Sequence, residues 1–420
     1  FKQMDVMDLR AGDLGQFDYI VAHGLFSWVP ESVRQRILDI YSEYLAPKGV
    51  GYISYNTYPG CHIRDMMREI IQFHTRDLNE PMKKVNSAVS ILKFLGDVTD
   101  ADSTYQMILR EEFEGLIGRA PGNIYHDDLA DFNKPFYFYE FAEMLAAIDM
   151  QYLSEADVEA SNTGTLPPDA VRVLDTYSSN LIEREQYLDF IRCVRFRSTL
   201  FCRDTSVLDR NYLQDHLNEF YIAGRLRTEG PTSAVAGDEE EIFFGPTTEK
   251  IKCNHPLTKA AIRYLSEKWT WGVRFSELIE RSIEMFHLPA EASSERDIAR
   301  TADVVIDLFR AGLFRLRVSP DQCVSEAGQT PRVSAFARWQ IERGSPNVMT
   351  LTGLKFEHRD DIARLIVILA DGTRDRDEIV RAVIENLEAP KGDQNEFREI
   401  VSDRVELNLR LLGAKGLLEA

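Results

Sequence analysis

Residues 17–56 constrain the fold more than any other stretch of this chain: "FDYIVAH" and "GYISYN" flank "ESVRQRILDIYSEYL". The outer two are apolar, β-branched and aromatic runs of strand length. The middle one carries Val33, Ile37, Ile40, Tyr41 and Tyr44 at helical spacing, with Pro30 at its start. "APKGV" reads as the turn between helix and second strand, and "TYPG" breaks the chain after it. Strand–helix–strand with short links predicts parallel strands with helices on the sheet faces, because parallel neighbours need a crossover. Ligands of such sheets sit outside the carboxyl ends of the strands. Ala22-His23-Gly24 and Tyr55-Asn56-Thr57 therefore become the positions to watch. "FKQMDVMDL" predicts a further strand ending in acids, which puts Asp5 and Val6 at a third such end.

Downstream, residues 61–133 read as three helices. A helix over about 138–148 runs into a strand over about 150–158, and 187–203 again reads helix then strand. The α/β domain of residues 1–205 thus resumes after a helical insertion at about 61–137. "TSAVAGDEEE" (232–241) reads as a loop or linker, and "EIFFGPTTEKIKCN" as a hairpin. "LFRAGLFRLR" and "LRLLGAKGLLEA" are helix–glycine–strand endings, each predicted to enter the wing of a winged helix. They define two mainly helical, winged-helix-like domains at 206–320 and 331–420.

A chain of 420 residues exceeds one ordinary core, so several domains are expected. The formal net charge of −19 opposes nucleic-acid binding, which needs cations against phosphates, so no nucleic-acid partner is expected. Cys61, Cys193, Cys202, Cys253 and Cys323 form no CxxC pair, which argues against a metal site. The plain reading is reduced thiols in the cytoplasm. No apolar run approaches the roughly 20 residues of a membrane span. No basic-then-apolar leader opens the chain, and strand-like residues begin at Phe1. The expectation is that it starts inside a domain.

"FDYIVAHGLFSWVPESVRQRIL" and "LAPKGVGYISYNTYPGCHIRDMMREII" closely resemble class I S-adenosylmethionine-dependent methyltransferases that carry a methyltransferase regulatory domain. That group includes bacterial protein-lysine methyltransferases acting on outer-membrane proteins. "YHDDLADFNKPFYFYEFAEMLAAIDMQYLSEA" resembles the regulatory segment, and "RFRSTLFCR" the final strand of the fold. The resemblance covers about 1–205 and extends more weakly to a winged helix around "LADGTRDRDEIV". It implies a partial Rossmann-like sheet, S-adenosylmethionine as cofactor and a protein side chain such as lysine as acceptor. Residues 17–24 become the fourth strand, with Ala22, His23 and Gly24 facing the cofactor and Asp5 and Val6 at the adenine. Trp28, Tyr55, Asn56 and Tyr58 would rim the acceptor pocket. No catalytic residue is singled out, since methyl transfer rests largely on orientation and a deprotonated acceptor.

One feature of that family is missing. Its first strand leads into a glycine-rich loop and its second ends in an acid for the ribose. Here the sole G-x-G, Gly49-Val50-Gly51, precedes a strand and so is a turn. These 420 residues are therefore expected to bind the cofactor weakly and to methylate nothing unaided. The alternative is a non-catalytic module in which winged helices bind protein or nucleic acid and the sheet is scaffold.

Overall fold

The computed structural model describes residues 3–10, 12–98, 103–229, 235–269, 271–289, 294–320, 322–358, 360–387 and 394–419. The chain divides into two units, Phe1–Asp209 and Arg210–Ala420.

In the first unit β1 (Phe17–Ala22), α1 (Glu31–Tyr44) and β2 (Leu45–Asn56) form the expected crossover. β1 and β2 are parallel, with Ala22 opposite Ile53. α2 (Cys61–Thr75), α3 (Pro81–Val98), α4 (Thr104–Leu116) and α5 (Pro121–Leu129) follow, then α6 (Phe138–Ala146) and β3 (Met150–Glu155). α7 (Pro168–Tyr177), α8 (Leu181–Arg192) and β4 (Phe196–Arg203) complete the unit. The sheet order is β1-β2-β4-β3, with β4 antiparallel to both neighbours. Strands at 17–22, 45–56, 150–155 and 196–203 thus share one sheet across the helical insertion, as the sequence predicts.

Alternation along β2 explains how that sheet is covered. Ile53 and Tyr55 point into a core with Tyr41 of α1 and Phe141 of α6. Tyr52, Ser54 and Asn56 alternate with them and so point to the opposite face. The insertion packs separately through Met67, Ile71, Leu92, Leu109 and Leu116. It contains four helices in place of three, because Pro121 starts α5 as a separate element.

Two local expectations fail. "FKQMDVMDL" is no strand within its described part: Val6–Asp8 is a single 3-10 turn. The Asp5 carboxylate caps it by accepting the Met7 N–H at 2.9 Å, a short-range bond that competes with extended pairing. Residues 1 and 2 lie outside the described residues. "APKGV" is absorbed into β2, where the register shifts between the Phe17–Leu45 and Tyr19–Val50 pairs, so the turn became an irregularity within the strand.

A buried ionic cluster joins β3, α8 and β4. Arg197 reaches Glu155 at 2.8 Å, Asp189 at 2.9 Å and Glu185 at 3.0 Å, and its guanidinium lies 3.9 Å from the centre of the Phe138 ring. Three carboxylates thus surround one cation in a dry site. Burial pushes the Asp189 carboxyl up to about 6, against the pull of Arg197.

In the second unit α9 (Tyr212–His216), β5 (Tyr221–Gly224), β6 (Arg227–Thr228), β7 (Glu241–Phe244), β8 (Lys250–Cys253) and α10 (Pro256–Lys268) come first. β9 (Val273–Arg274), α11 (Phe275–Phe286), α12 (Glu295–Arg310) and β10 (Phe314–Arg317) follow. One core joins residues from Leu217 to Phe314. The stretch 232–241 is more than a linker. Val235 is buried in that core, and Lys259 donates to the carbonyls of Gly237 at 2.6 Å and Glu239 at 3.0 Å. Residues 232–234 lie outside the described residues.

A second core joins Val333 to Leu418. It is built from α13 (Ala335–Glu342), β11 (Asn347–Met349), β12 (Lys355–Glu357), α14 (Asp361–Leu369), α15 (Arg376–Asn386) and α16 (Gln394–Ala414). The small hairpin here is β11–β12, ahead of α14. Neither helix–glycine–strand ending enters a wing: β10 pairs with β5, and Leu418 bridges Val333. Among the described residues no helix is long and apolar enough to cross a membrane.

Candidate functional site

At the carboxyl end of β1, His23 Nδ1 lies 2.8 Å from the Tyr52 hydroxyl and 3.3 Å from Ser54 Oγ. Tyr52 gives its single proton to Ser198 Oγ at 3.1 Å. His23 therefore donates from Nδ1 to the Tyr52 oxygen. The Gly24 N–H donates to Ser54 Oγ at 2.8 Å. Gly24 has φ +63°, and nothing lies within 4 Å of where its Cβ would stand. A flat ligand can approach backbone there, and any L side chain would be strained.

Of the adenine-side residues of the sequence reading, Asp5 uses one carboxylate oxygen in the cap, and Val6 packs against the same core as Ile20 and Ala22 of β1.

The end of β2 is more crowded. Asn56 is buried, its N–H donating to Ser27 Oγ at 2.9 Å and its amide to Asn133 Oδ1 at 2.7 Å. Asn133 in turn donates to Asp65 at 3.3 Å, and Tyr58 donates its hydroxyl to the other oxygen of Asp65 at 2.8 Å. Burial and the Asp65 carboxylate hold the Tyr58 phenol above its ordinary range. Tyr58 also stacks on His62, with ring centres 4.1 Å apart. Trp28 lies 4.8 Å from His126, with the guanidinium of Arg64 5.8 Å from its ring. Arg64 also borders a cavity of about 620 Å³ whose apolar wall includes Met67, Ile71 and Leu116.

The structure thus brings Asn56 and Tyr58 together through Asn133 and Asp65, and sets Trp28 against the insertion. Tyr55 is elsewhere. It is 1% exposed, stacked on Phe141 at 4.1 Å with its hydroxyl 3.2 Å from Thr199, so it cannot rim a pocket. Strand alternation should have excluded it, since Asn56 and Tyr55 must face opposite ways. The sequence reading also passed over Tyr52, Ser54, His62 and Asp65. Tyr52 and Ser54 could have been found by the same alternation, counting back from Asn56. Asn133 carries no such signal, being brought in by the pairing of 133–137 alongside 56–58.

Together these features define an α/β domain with polar side chains gathered where β1 and β2 end. Residues 120–203 match the family described as "Predicted methyltransferase regulatory domain", and 329–415 match "PKMT, C-terminal winged helix domain". The regulatory match therefore runs from α5 to β4, includes two strands of the sheet and contains residues 125–156, the segment that the sequence reading likened to the regulatory domain. Two solved structures of PKMT2 from Rickettsia typhi, one in complex with AdoHcy, superpose with TM-scores of 0.85 and 0.86 at 25% identity. Each match covers 99% of this chain and 83% of that one. Among curated proteins, RP789 of Rickettsia prowazekii is 30% identical over 270 residues, 63% of this chain and 49% of its own length. Protein sll1526 of Synechocystis is 26% identical over 285 residues, 65% and 54% respectively. The chain spans about half the length of these curated relatives. It thus carries segments similar to both this regulatory domain and this winged helix, on a fold similar to that of PKMT2.

Proposed function

We propose that this chain forms the adenine-binding and acceptor-binding parts of an S-adenosylmethionine-dependent methyltransferase that acts on a protein side chain such as lysine, in the cytoplasm. The observation that carries the reading is the open, positive-φ Gly24 beside His23, next to the Asn56–Asn133–Asp65–Tyr58 network. It is supported by the likeness to PKMT2 in complex with AdoHcy. Asp5, Val6 and Gly24 would hold the adenine, with His23 beside them, while Trp28, Asn56 and Tyr58 would line the acceptor side. A bound sulfonium supplies the methyl group. The chain's own part is to orient the amine in line with it and exclude water. On this reading the methionine and ribose contacts belong to a strand–glycine-turn segment set along β1, an edge strand of the described sheet.

The test is transfer from tritiated S-adenosylmethionine to lysine-bearing protein, using these residues joined to a strand–glycine-turn segment. Label should appear on lysine and be lost in Gly24→Val. Label that survives Gly24→Val would refute the placement, and no label at all would refute the activity.

A further inference from the structure

An aromatic track leaves the end of β2 and emerges on the surface of α8. Tyr58 lies 5.3 Å from Tyr137, whose hydroxyl is 3.1 Å from His62 Nε2. Tyr137 stacks on Tyr139 at 5.7 Å and meets Phe190 edge-on at 6.0 Å, and Phe190 meets Tyr187 at 6.2 Å. Helical periodicity makes this surface unavoidable for α8. Glu185, Leu188 and Asp189 turn inward to the core and Arg197, so Tyr187 and Phe190 turn outward. Tyr139, Phe190 and Tyr187 are 42%, 46% and 37% exposed. Exposed rings in contact with one another are unusual on a soluble surface unless something covers them. Beside them the Gln186 amide accepts the Tyr139 N–H at 3.2 Å, yet its Nε2 has no partner.

We propose that this track is the docking surface for an extended, lysine-bearing segment of the protein acceptor, a proposal that rests on the methyltransferase reading above. Three observations choose that occupant. The track is continuous with Tyr58 and His62 at the acceptor end. Tyrosine rings offer flat apolar faces with polar tips, which suit a backbone laid across them. The net charge of −19 attracts a segment carrying lysine, and ring faces attract its ammonium groups. The same charge repels phosphates, which argues against a single-stranded nucleic acid stacking on the same rings.

The test uses the full chain and a fluorescein-labelled, unstructured peptide with a central lysine between apolar residues, read by anisotropy. Tyr187→Ser combined with Phe190→Ser should weaken binding by about tenfold or more, with an unchanged circular dichroism spectrum. Phe190→Tyr should keep it. Equal affinity in wild type and the double variant, or no binding by wild type, would overturn the proposal. So would tighter binding of oligothymidylate to the same rings, or a loss of self-association in the double variant without a change in peptide affinity. Peptide binding without methyl transfer in the joined protein would leave the track standing and refute only the transferase reading.

Discussion

The guanidinium carbon of Arg64 lies 5.8 Å from the centre of the Trp28 ring, and a terminal nitrogen of the same side chain lies 3.4 Å from Asp127 and from Asp128. The loop after β1 and two helices of the insertion therefore meet at one side chain. Trp28→Ala should raise the acceptor KM by about tenfold while leaving AdoHcy affinity unchanged, as expected for two cation–π contacts, from Arg64 and Arg68, and one lost aromatic wall. Arg64→Lys keeps the charge but loses the planar stack, and should fall between the two. Steady-state kinetics with varied acceptor, in the protein joined to a glycine-rich segment, separates these outcomes.

Gly24 carries φ +63° in open space. Gly24→Ala should cost about 1 kcal/mol of stability through backbone strain alone. The larger effect is expected on AdoHcy, because the new methyl occupies the space the ligand would use. Thermal unfolding of residues 1–420 and calorimetric titration of the protein joined to a strand–glycine-turn segment measure the two effects independently.

Gly60 has a different constraint. A Cβ there would stand 2.3 Å from the carbonyl oxygen of Cys193 and 2.6 Å from that of Val194, both backbone. Gly60→Ala should therefore destabilise the first unit by about 1–3 kcal/mol, the range for overpacking. A chemical denaturation midpoint equal to wild type would contradict that geometry.

Asp189 sits with Glu155 and Glu185 around the single cation of Arg197. Its carboxyl is raised to about 6 by burial, from an ordinary value near 4. Between those values the folded chain holds a proton that the unfolded chain has released, so stability falls as pH rises through this window. Asp189→Asn should flatten that fall. Arg197→Met leaves three buried carboxylates without their cation and should cost about 3–5 kcal/mol near neutral pH. Melting curves from pH 4 to 8 should show both effects.

Much of this was legible from residue pattern. The short apolar run of 17–22 and the helical spacing of 31–44 gave the crossover, because run length and apolar spacing decide element type. Asp5 misled, since a strand-like sequence lost to a short-range cap. Tyr55 misled because it was read as part of a strand end without regard to which face each residue occupies. Asp65 and Asn133 meet only through tertiary pairing, 68 residues apart, and no local pattern encodes that. The C-terminal tail looked like a wing strand because a glycine follows a helix, yet its last residues bridge back to Cys323 and Val333.

The most direct measurement is calorimetric titration of AdoHcy into residues 1–420 alone and into the same residues joined to a strand–glycine-turn segment along β1. Asp5, Val6 and Gly24 supply only the adenine side. Two or three missing hydrogen bonds at about 1–3 kcal/mol each lower affinity by orders of magnitude. We expect no binding at micromolar ligand for residues 1–420 alone, and micromolar binding for the joined protein that disappears in Gly24→Val. Micromolar affinity in residues 1–420 alone, or joined-protein binding indifferent to Gly24→Val, would contradict the assignment of the cofactor to the end of β1.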